Sequence, residues 1–338
     1  MSLIVVHNER GCSVNNFVEH NLEQGQGSDP APVVFTGRFA PTPSGNLHLG
    51  NVFSFLIAYL YARQQGGSMR MRIEDLDPAR SKQSYIDSIL FDLDWLGFTW
   101  EGDIVQQSTR TPLYQAAFES LETQGIIYPC YCSRADLHAA SAPHRGDEFI
   151  YPGTCRNLSD DERRRRALHK EPAYRIVVPQ REYSINDHFQ GECKFKIHEC
   201  GGDFIVKRSD GVFAYQLAVV IDDALMGITS VVRGIDLLSS CQKQRYLQEL
   251  LGFPFVEYAH VPLILDAAGR RLAKRSNDTS IEYLRTEGGY DASTTLGFLA
   301  YECGLIEEEG PCTMDELVSQ VDLSVLRGQQ AIQLRGIV

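Results

Sequence analysis

The sequence lacks an apolar run long enough to cross a membrane. Although 43% of its 338 residues are hydrophobic, no stretch approaches the ~20 apolar residues that a membrane helix needs. The apolar run in the opening MSLIVVHNERGC is too short for the core of a signal peptide, and no basic segment precedes it. We therefore expect a cytoplasmic protein without a membrane partner.

The chain also lacks the paired, closely spaced cysteines of a disulfide framework. Its nine cysteines are an odd number spread over a long sequence. This usage favours free thiols, together with a metal site, over structural disulfides.

Positive charge is scarce, because the formal net charge is -12. An acidic chain argues weakly against a nucleic-acid partner, since phosphate contacts need Lys and Arg. A local basic face can still bind on an acidic body. The run Arg163–Arg166 is equally consistent with such a face and with a solvated helix surface.

The order of the predicted elements indicates an α/β fold. A β-branched run at 33–39 is followed by an apolar helix at 52–63, a strand at 69–73 and a helix at 81–96. This strand-helix-strand-helix order is typical of a parallel sheet with right-handed crossovers. A polar N-cap followed by proline at Thr111–Pro112 starts a further helix.

Composition divides the chain into five predicted regions. The segment 128–200 carries cysteines, prolines and little periodicity, which favours an inserted subdomain, and the sheet pattern resumes afterwards, ending with a strand at 261–265. The regions are 1–32, an extension expected to be poorly ordered; 33–127, the first half of the sheet domain; 128–200, the insertion; 201–265, the second half; and 266–338, a loop and a mainly helical region.

The stretch RFAPTPSGNLHLGN, residues 38–51, joins the first predicted strand to the first predicted helix. Ligands of doubly wound sheets bind outside the carboxyl ends of the strands, and a helix N-terminus binds phosphate. Gly45 and Gly50 allow close approach of a ligand to the backbone. Pro41 fixes the path of the loop, and His48 is placed to donate to a phosphate oxygen. By composition alone, a plain turn with a structural histidine explains the loop equally well.

Five sequence blocks resemble, in the same order, the active site of class I aminoacyl-tRNA synthetases of the glutamyl branch. The loop resembles their HIGH signature, with Asn51 in place of the second histidine. The stretch RLAKR at 271–275 resembles their KMSKS loop, with Ala273 in place of the first serine. The three blocks between them are MRIEDLD at 71–77, YQLA with IDD within 215–223, and VRGIDL at 232–237. The resemblance implies a Rossmann-type doubly wound parallel sheet with an inserted zinc-binding subdomain and a mainly helical C-terminal part.

The versions GRFAPTPSGNLHLG and RIEDLDPAR resemble most closely a shortened subfamily of that branch. The sequence continues for about 60 residues after the KMSKS-like stretch, which we expect to be too few for the large anticodon-binding region of full glutamyl-tRNA synthetases. The resemblance implies a ligase that activates glutamate with ATP without needing tRNA and transfers it to the queuosine base in the anticodon of tRNA(Asp). ATP with Mg²⁺, L-glutamate and that tRNA are the implied partners, and we expect a monomer. Two alternatives stay open: a truncated glutamyl-tRNA synthetase acting on a 3′ end, and an idle paralogue that binds nucleotide or tRNA.

The resemblance also implies roles for individual residues. Glu74 would accept from the ammonium of glutamate, Arg233 would bind a carboxylate bidentately and Tyr215 would supply a hydroxyl. The implied glutamate contacts are Arg38, Thr42, Glu74, Tyr215 and Arg233, and the implied ATP contacts are Pro41, Gly45, His48, Gly50, Asn51 and Lys274. His48 and Lys274 would be the catalytic residues because they stabilise charge on the phosphates. Judged alone, Arg38 and Glu74 are also explained by a structural ion pair with each other.

Three cysteines in the predicted insertion have a spacing that suits Zn²⁺. Cys130, Cys132 and Cys155 could supply three thiolates of a tetrahedral site. From the residues alone, three candidates compete for the fourth position: His138, His144 and Cys193. Three unrelated free thiols are the alternative. The resemblance to the subfamily favours one structural zinc ion held by Cys130, Cys132, Tyr151 and Cys155, which would shape the insertion rather than catalyse.

Overall fold

The structure is a computed structural model that describes residues 35–133, 150–272 and 280–335. The predicted extension 1–32 and the residues Ala273, Lys274, His138 and His144 lie outside these ranges. No helix within the described ranges is both long and apolar enough to span a membrane.

The described residues form a mixed α/β structure. Its strands, in chain order, are β1 (Thr36–Phe39), β2 (Ser68–Ile73), β3 (Val105–Gln106), β4 (Ile127–Cys130), β5 (Ala173–Ile176), β6 (Glu182–Asp187), β7 (Gly191–Lys196), β8 (Ile205–Lys207), β9 (Ser230–Gly234), β10 (Glu257–Val261), β11 (Leu263–Leu265) and β12 (Ala331–Gln333). Its α-helices are α1 (Leu49–Gln64), α2 (Gln83–Trp95), α3 (Thr111–Thr123), α4 (Asp160–Ala167), α5 (Tyr215–Leu225), α6 (Cys241–Leu251), α7 (Ile281–Thr286), α8 (Ala292–Glu302) and α9 (Met314–Gln320).

The first half of the chain folds as its sequence pattern predicts. The three elements β1, α1 and β2 follow one another, and β1 pairs with β2 in parallel. Ten of the residues of α1 are buried on nearly all sides of the helix, because the helix packs between the sheet and the C-terminal helices. Gly66 ends the helix turn with a φ of 66°. At Gly67 a Cβ would lie 2.5 Å from the carbonyl oxygen of Phe35, so only glycine fits where the chain turns into β2.

Strands from both halves of the chain meet beside β1. β9 pairs with β10 in parallel, and β1 lies against β9. The amide of Thr229 donates to the carbonyl of Thr36 at 3.0 Å, and Arg38 Nη1 donates to the carbonyl of Val232 at 2.8 Å. These contacts advance in the same direction along both segments, so the carboxyl ends of β1 and β9 reach one edge of the sheet. The parallel α/β fold predicted from the sequence is confirmed.

The predicted insertion 128–200 divides between two sheets. β4, β5 and β8 form a small antiparallel sheet, as a separate subdomain would. The hairpin of β6 and β7 instead joins the central sheet, where β6 pairs in parallel with β10. The reason is the alternation in β6, whose second, fourth and sixth residues are buried and complete the sheet core. The boundaries 128–200 stay a prediction as a domain division, but the hairpin belongs structurally to the sheet.

Two predicted elements are each divided in the structure. The strand predicted at 261–265 ends with β10 at Val261 and resumes as β11, because Pro262 between them has no N–H to donate to a ladder. β11 then pairs in parallel with β12. The sequence also predicts a helix near 237–251; in the structure this segment begins as a 3-10 helix, Ile235–Ser240, and becomes α-helical only in α6.

Candidate active site

A cavity of about 420 Å³ lies at the carboxyl edge of the central sheet. It is lined by all five predicted glutamate contacts and by all the predicted ATP contacts of the described ranges: Arg38, Pro41, Thr42, Gly45, His48, Gly50, Asn51, Glu74, Tyr215 and Arg233. The structure therefore brings into one place residues that are up to 195 positions apart in the chain, from Arg38 to Arg233. Lys274 lies outside the described residues.

His48 is the N-cap of α1 and is held by a reciprocal pair of hydrogen bonds. Its Nδ1 accepts from the amide of Gly50 at 3.1 Å, and the side-chain oxygen of Asn51 accepts from the amide of His48 at 3.3 Å. Since Nδ1 accepts, the neutral imidazole carries its proton on Nε2, which is therefore the atom that can donate to a ligand. Asn51, where the family signature has histidine, acts here as the partner that closes the cap.

Gly50 lies directly against the imidazole of His48. A Cβ at Gly50 would lie 3.1 Å from both Cε1 and Nδ1 of that ring. Any side chain at this position would press on the ring and on the hydrogen bond that orients it. The group that lies close to the backbone of Gly50 is thus the ring of His48, which belongs to the same chain.

Glu74 is held in the cavity by a buried ion-pair network. Arg72, which is fully buried, donates from Nη2 to Glu74 Oε1 at 3.1 Å and from Nη1 to Asp223 Oδ1 at 2.6 Å. Burial opposes the charge on Arg72, but Asp223 and Glu74 outweigh it and raise the pKa of the guanidinium. Burial raises the pKa of Glu74, although Arg72 and Arg38 act against it. Sequence reasoning did not single out Arg72 or Asp223, although both belong to the quoted blocks.

Arg38 lines the cavity and contacts the second half of the chain. Its Nη1 donates to the carbonyl of Val232, and its Nε lies 4.0 Å from Asp223 Oδ1. The Nε atom is buried and has no hydrogen-bond partner within the described ranges. Burial lowers the pKa of Arg38 although Asp223 opposes this. The alternative of a direct structural pair between Arg38 and Glu74 is not what the structure shows, since Glu74 pairs with Arg72.

Arg233 is buried and already makes four hydrogen bonds. Nε donates to His260 Nε2 at 3.0 Å and Nη1 donates to Gln244 Oε1 at 2.9 Å. Nη2 donates to the carbonyl of Leu237 and to the sulfur of Cys241, each at 3.2 Å. A guanidinium has five N–H groups, so one N–H on Nη1 stays available, and a bidentate contact would also have to displace a weaker partner such as the thiol.

Two hydroxyl groups complete the polar lining. Tyr215 is the first residue of α5, and its pKa is raised because it is buried, although Arg233 acts in the opposite direction. Its hydroxyl therefore stays protonated and can donate or accept. Thr42, on the loop between β1 and α1, is exposed at the mouth of the cavity.

Both ends of the KMSKS-like loop are attached at the cavity mouth. Arg271 Nη2 donates to Asp236 Oδ2 at 2.7 Å, after a tight turn that Asp266 closes by accepting from the amides of Ala268 and Arg270. On the far side, the amide of Ile281 donates to the carbonyl of Leu47 at 3.0 Å. The described residues on either side of 273–279 therefore both contact residues that line the cavity.

The three predicted cysteine ligands lie together beside the small antiparallel sheet. The sulfurs of Cys130, Cys132 and Cys155 are all within 4.8 Å of one another, and those of Cys132 and Cys155 are 3.6 Å apart. The hydroxyl oxygen of Tyr151 is 3.4 Å from Cys130 Sγ and 3.8 Å from Cys132 Sγ. Zn–S bonds of about 2.3 Å at tetrahedral angles place sulfurs about 3.8 Å apart, so the arrangement fits a metal ion. Cys193, one of the three candidates for the fourth position, is on β7 and does not belong to this group.

Donors around the cluster favour negative charge on Cys130, whereas burial raises the pKa of Cys132 to about 11 and raises that of Tyr151 as well. Arg175 donates from Nε to Cys130 Sγ at 3.3 Å and lies 3.8 Å from the ring centre of Tyr151. The amide of Cys155 donates to the Tyr151 oxygen at 2.9 Å. Burial opposes ionisation of Cys130, but Tyr151 and Arg175 outweigh it and lower the pKa of this thiol. The cluster can therefore hold a metal ion.

The basic run Arg163–Arg166 lies on α4, a helix without buried residues. Ser159 caps this helix, and acidic residues of its first turn pair with three of the arginines: Asp160 with Arg163, Asp161 with Arg164 and Glu162 with Arg166. The helix is therefore a solvated face whose positive charge is largely offset. Arg166 Nη1 also lies 4.0 Å from Cys155 Sγ, which places this face next to the cysteine cluster.

Comparison with known proteins gives one consistent family. The family model of the class I tRNA synthetases (E and Q), catalytic domain, matches residues 34–333. The glutamyl-Q tRNA(Asp) synthetase of Symbiobacterium thermophilum is 46% identical over 300 residues, 85% of this chain and 92% of that protein. The protein of the same name from Nitratidesulfovibrio vulgaris is 44% identical over 302 residues, 86% of this chain and 93% of that one. A glutamate tRNA ligase from Elizabethkingia meningosepticum, solved in complex with its amino acid, superimposes with a TM-score of 0.75 at 27% identity and covers 89% of this chain and 67% of that one.

Proposed function

Because the chain belongs to the class I tRNA synthetases (E and Q), we propose that it activates glutamate with ATP and transfers the glutamyl group to the queuosine base of tRNA(Asp). The chain is thus a ligase. The observation that carries the proposal is the cavity, which gathers the glutamate contacts implied by the motifs in a chain 46% identical to a glutamyl-Q tRNA(Asp) synthetase.

In the first step an oxygen of the α-carboxylate of glutamate attacks the α-phosphorus of ATP. The bond from that phosphorus to the bridging oxygen breaks, pyrophosphate leaves and glutamyl-adenylate forms. His48 Nε2 and the amides at the start of α1 would stabilise the phosphate charge that develops. Lys274 would neutralise the leaving pyrophosphate as a mobile point charge. Mg²⁺ bound with ATP would supply further charge neutralisation.

Glutamate recognition would divide between the two sides of the cavity. Glu74, fixed by Arg72, would accept from the ammonium group together with Tyr215. Arg38, which lines the cavity, and Arg233, with its remaining N–H on Nη1, would bind the carboxylates. In the second step the glutamyl group passes from the adenylate to the modified base, and AMP leaves.

Pyrophosphate exchange into ATP tests the first step. We expect exchange that depends on glutamate and needs no tRNA. Absence of exchange with folded protein would favour the idle paralogue, and exchange that requires tRNA would favour a truncated glutamyl-tRNA synthetase.

Transfer of labelled glutamate tests the acceptor. The matched substrates are tRNA(Asp) carrying queuosine and the same tRNA carrying guanine at that position. We expect label only on the first. Equal labelling of both, or label lost after removal of the 3′ terminal nucleotides, would contradict transfer to queuosine.

We also propose that the cysteine cluster and Tyr151 hold one structural zinc ion. The S···S and S···O distances support this ligand set, and no step of the reaction involves it. We expect one zinc per chain by elemental analysis. Tyr151→Phe should weaken zinc retention against a chelator. Cys193→Ser, a control outside the cluster, should retain zinc. The reverse result would show that Tyr151 is not the fourth ligand.

A further inference from the structure

The buried carboxylate of Asp187 lies behind Arg233, with the imidazole of His260 between them. Asp187 ends β6, His260 is on β10 and Arg233 is on β9, so three adjacent strands supply the three groups. His260 Nδ1 lies 2.5 Å from Asp187 Oδ2, and Arg233 Nε donates to His260 Nε2 at 3.0 Å. His260 is fully buried, and Asp187 is 2% exposed.

These contacts fix the protonation of the imidazole. A guanidinium only donates, so Nε2 of His260 must be the acceptor, and the proton of the neutral ring is on Nδ1, directed at Asp187. The other oxygen of Asp187 accepts three backbone amides, those of Phe189, Gln190 and His260, each at 3.0 Å. These three amides and the imidazole N–H of His260 therefore hold Asp187 as an anion.

The relay places a negative charge near the buried guanidinium of Arg233 without direct contact between the two. Arg72 touches two carboxylates directly, whereas the described hydrogen bonds of Arg233 go to an imidazole, an amide oxygen, a carbonyl and a thiol. A carboxylate in direct contact with Arg233 would occupy the N–H groups that a ligand carboxylate needs. Asp187, separated from Arg233 by the imidazole of His260, compensates the buried cation without touching it. Only the Nε–H of Arg233 is then occupied, by the imidazole.

We propose that Asp187 and His260 are positioning residues for the carboxylate of glutamate: the relay from Asp187 through His260 holds the guanidinium of Arg233 so that its remaining N–H on Nη1 can donate to that carboxylate. This inference rests on the proposed function, because it takes glutamate as the ligand. It gives the hairpin β6–β7, which the sequence placed in the insertion, a part in substrate recognition.

The first test is Asp187→Asn, measured by glutamate-dependent pyrophosphate exchange. The substitution removes the negative charge, and the NH₂ group of asparagine favours the His260 tautomer that is protonated on Nε2. In that tautomer two donors, His260 Nε2–H and Arg233 Nε–H, face each other. We expect the KM for glutamate to rise about tenfold or more, as on loss of a hydrogen bond to a charged group, with the KM for ATP unchanged. Asp203→Asn is the matched control, since Asp203 is also buried and accepts a backbone amide, that of Val178. Equal effects of the two variants on the glutamate KM, or equal rises in both KM values, would overturn the proposal.

A pair of variants at His260 separates positioning from packing. His260→Gln keeps an oxygen that can accept from Arg233, whereas His260→Asn keeps a donor towards Asp187 but does not reach Arg233. We expect His260→Asn to raise the glutamate KM more than His260→Gln does. A larger rise in the glutamate KM for His260→Gln than for His260→Asn would overturn the relay. Loss of packing alone does not predict that His260→Asn has the larger effect.

Nitrogen NMR of histidine-labelled wild-type protein tests the relay without any activity. We expect one histidine, assigned by its absence in His260→Gln, with a protonated Nδ1 and an unprotonated Nε2 at neutral pH. An imidazolium or an Nε2–H tautomer would overturn the relay even in an active enzyme. Conversely, a wild-type protein without glutamate-dependent exchange contradicts the proposed function, and with it the assignment of the ligand.

Discussion

Arg72 and Asp223 form a buried ion pair, 2.6 Å between Nη1 and Oδ1, that joins a strand from the first half of the chain to a helix from the second. Arg72 is on β2 and Asp223 is on α5, 151 positions later. The same guanidinium holds Glu74 at the cavity. The side chain of Arg72 therefore both connects the two halves of the chain and positions a residue of the site.

Arg72→Met is expected to destabilise the chain strongly. It leaves Asp223 and Glu74 buried without their cation, and breaking a buried pair in this way costs about 3–5 kcal/mol. Urea unfolding measures the loss. Arg181→Met is the control, because Arg181 is 54% exposed in its pair with Glu249 and such a surface pair contributes at most about 1 kcal/mol. Similar losses for both variants would show that the network around Arg72 is not a structural anchor.

Gly50→Ala is expected to lower kcat/KM for ATP. The added Cβ would press on the imidazole of His48, and small displacements of a group that contacts the reacting phosphate can cost tenfold or more. We expect a loss of about tenfold in pyrophosphate exchange with little change in the free energy of unfolding. At Gly310 a Cβ would meet no atom of the described residues within 4 Å, so Gly310→Ala serves as the control and should be active. Normal activity of Gly50→Ala would show that the orientation of His48 does not limit the reaction.

Asp92 is expected to make stability depend on pH. Its side chain is fully buried on α2, both carboxylate oxygens lack a hydrogen-bond partner within the described residues, and Arg285 of α7 lies 3.6 Å away. Burial raises the pKa of Asp92 to about 6, although Arg285 opposes it, whereas an unfolded aspartate has a pKa of about 3.9. The folded chain therefore binds this proton more tightly, and the stability that results is complete below about pH 4 and lost as pH rises through about 6.

Asp92→Asn removes that dependence. We expect the variant to unfold at higher urea than wild type at pH 7.5, by about 3 kcal/mol for a shift of about two pKa units, and the advantage to vanish at pH 4. Asp94→Asn, two residues along the same helix but exposed, should leave the curve unchanged. A wild-type advantage at pH 7.5 would mean that the contact with Arg285 outweighs the cost of burying the charge.

Metal removal is expected to loosen only part of the predicted insertion. Hydrogen exchange after chelation should rise in β4, in β5 and around residues 150–158, because the ligands of the cluster hold these segments together. The hairpin β6–β7 should stay protected, since β6 is paired with β10 in the central sheet. Loss of protection across both β6–β7 and β1–β2 would mean that the cluster supports the whole chain.

The sequence predicted the elements whose signals are local. The helix α1 follows from an apolar run preceded by a short polar loop, although its start at Leu49 and the cap at His48 were not predicted. The cavity residues follow from motifs in a fixed order. The hairpin β6–β7 was missed because one of the buried positions of β6 carries a polar residue, Asp187, which breaks the alternation of apolar and polar residues in the sequence. That aspartate is buried only because His260 and three backbone amides satisfy it.

Contacts between distant segments were beyond sequence reasoning. The motif around Arg72 indicated Glu74 as a ligand contact, but not that Arg72 would pair with both Glu74 and Asp223. Arg233 was predicted as a free carboxylate binder, whereas the structure surrounds most of its N–H groups with partners. Such pairings depend on strand register and helix placement across more than 100 positions, which local pattern does not encode.

The contact between Arg38 and the carbonyl of Val232 spans 194 positions. On the ribosome, β1 emerges long before the strand that will lie beside it, so the nascent chain carries an incomplete sheet through most of its synthesis. Asp223, which offsets the burial of Arg38, and the carbonyl of Val232 are both translated only after residue 222. Stable closure of the sheet at β1 therefore has to wait for translation of the second half, and a polypeptide released before that point would expose an unpaired strand edge to aggregation.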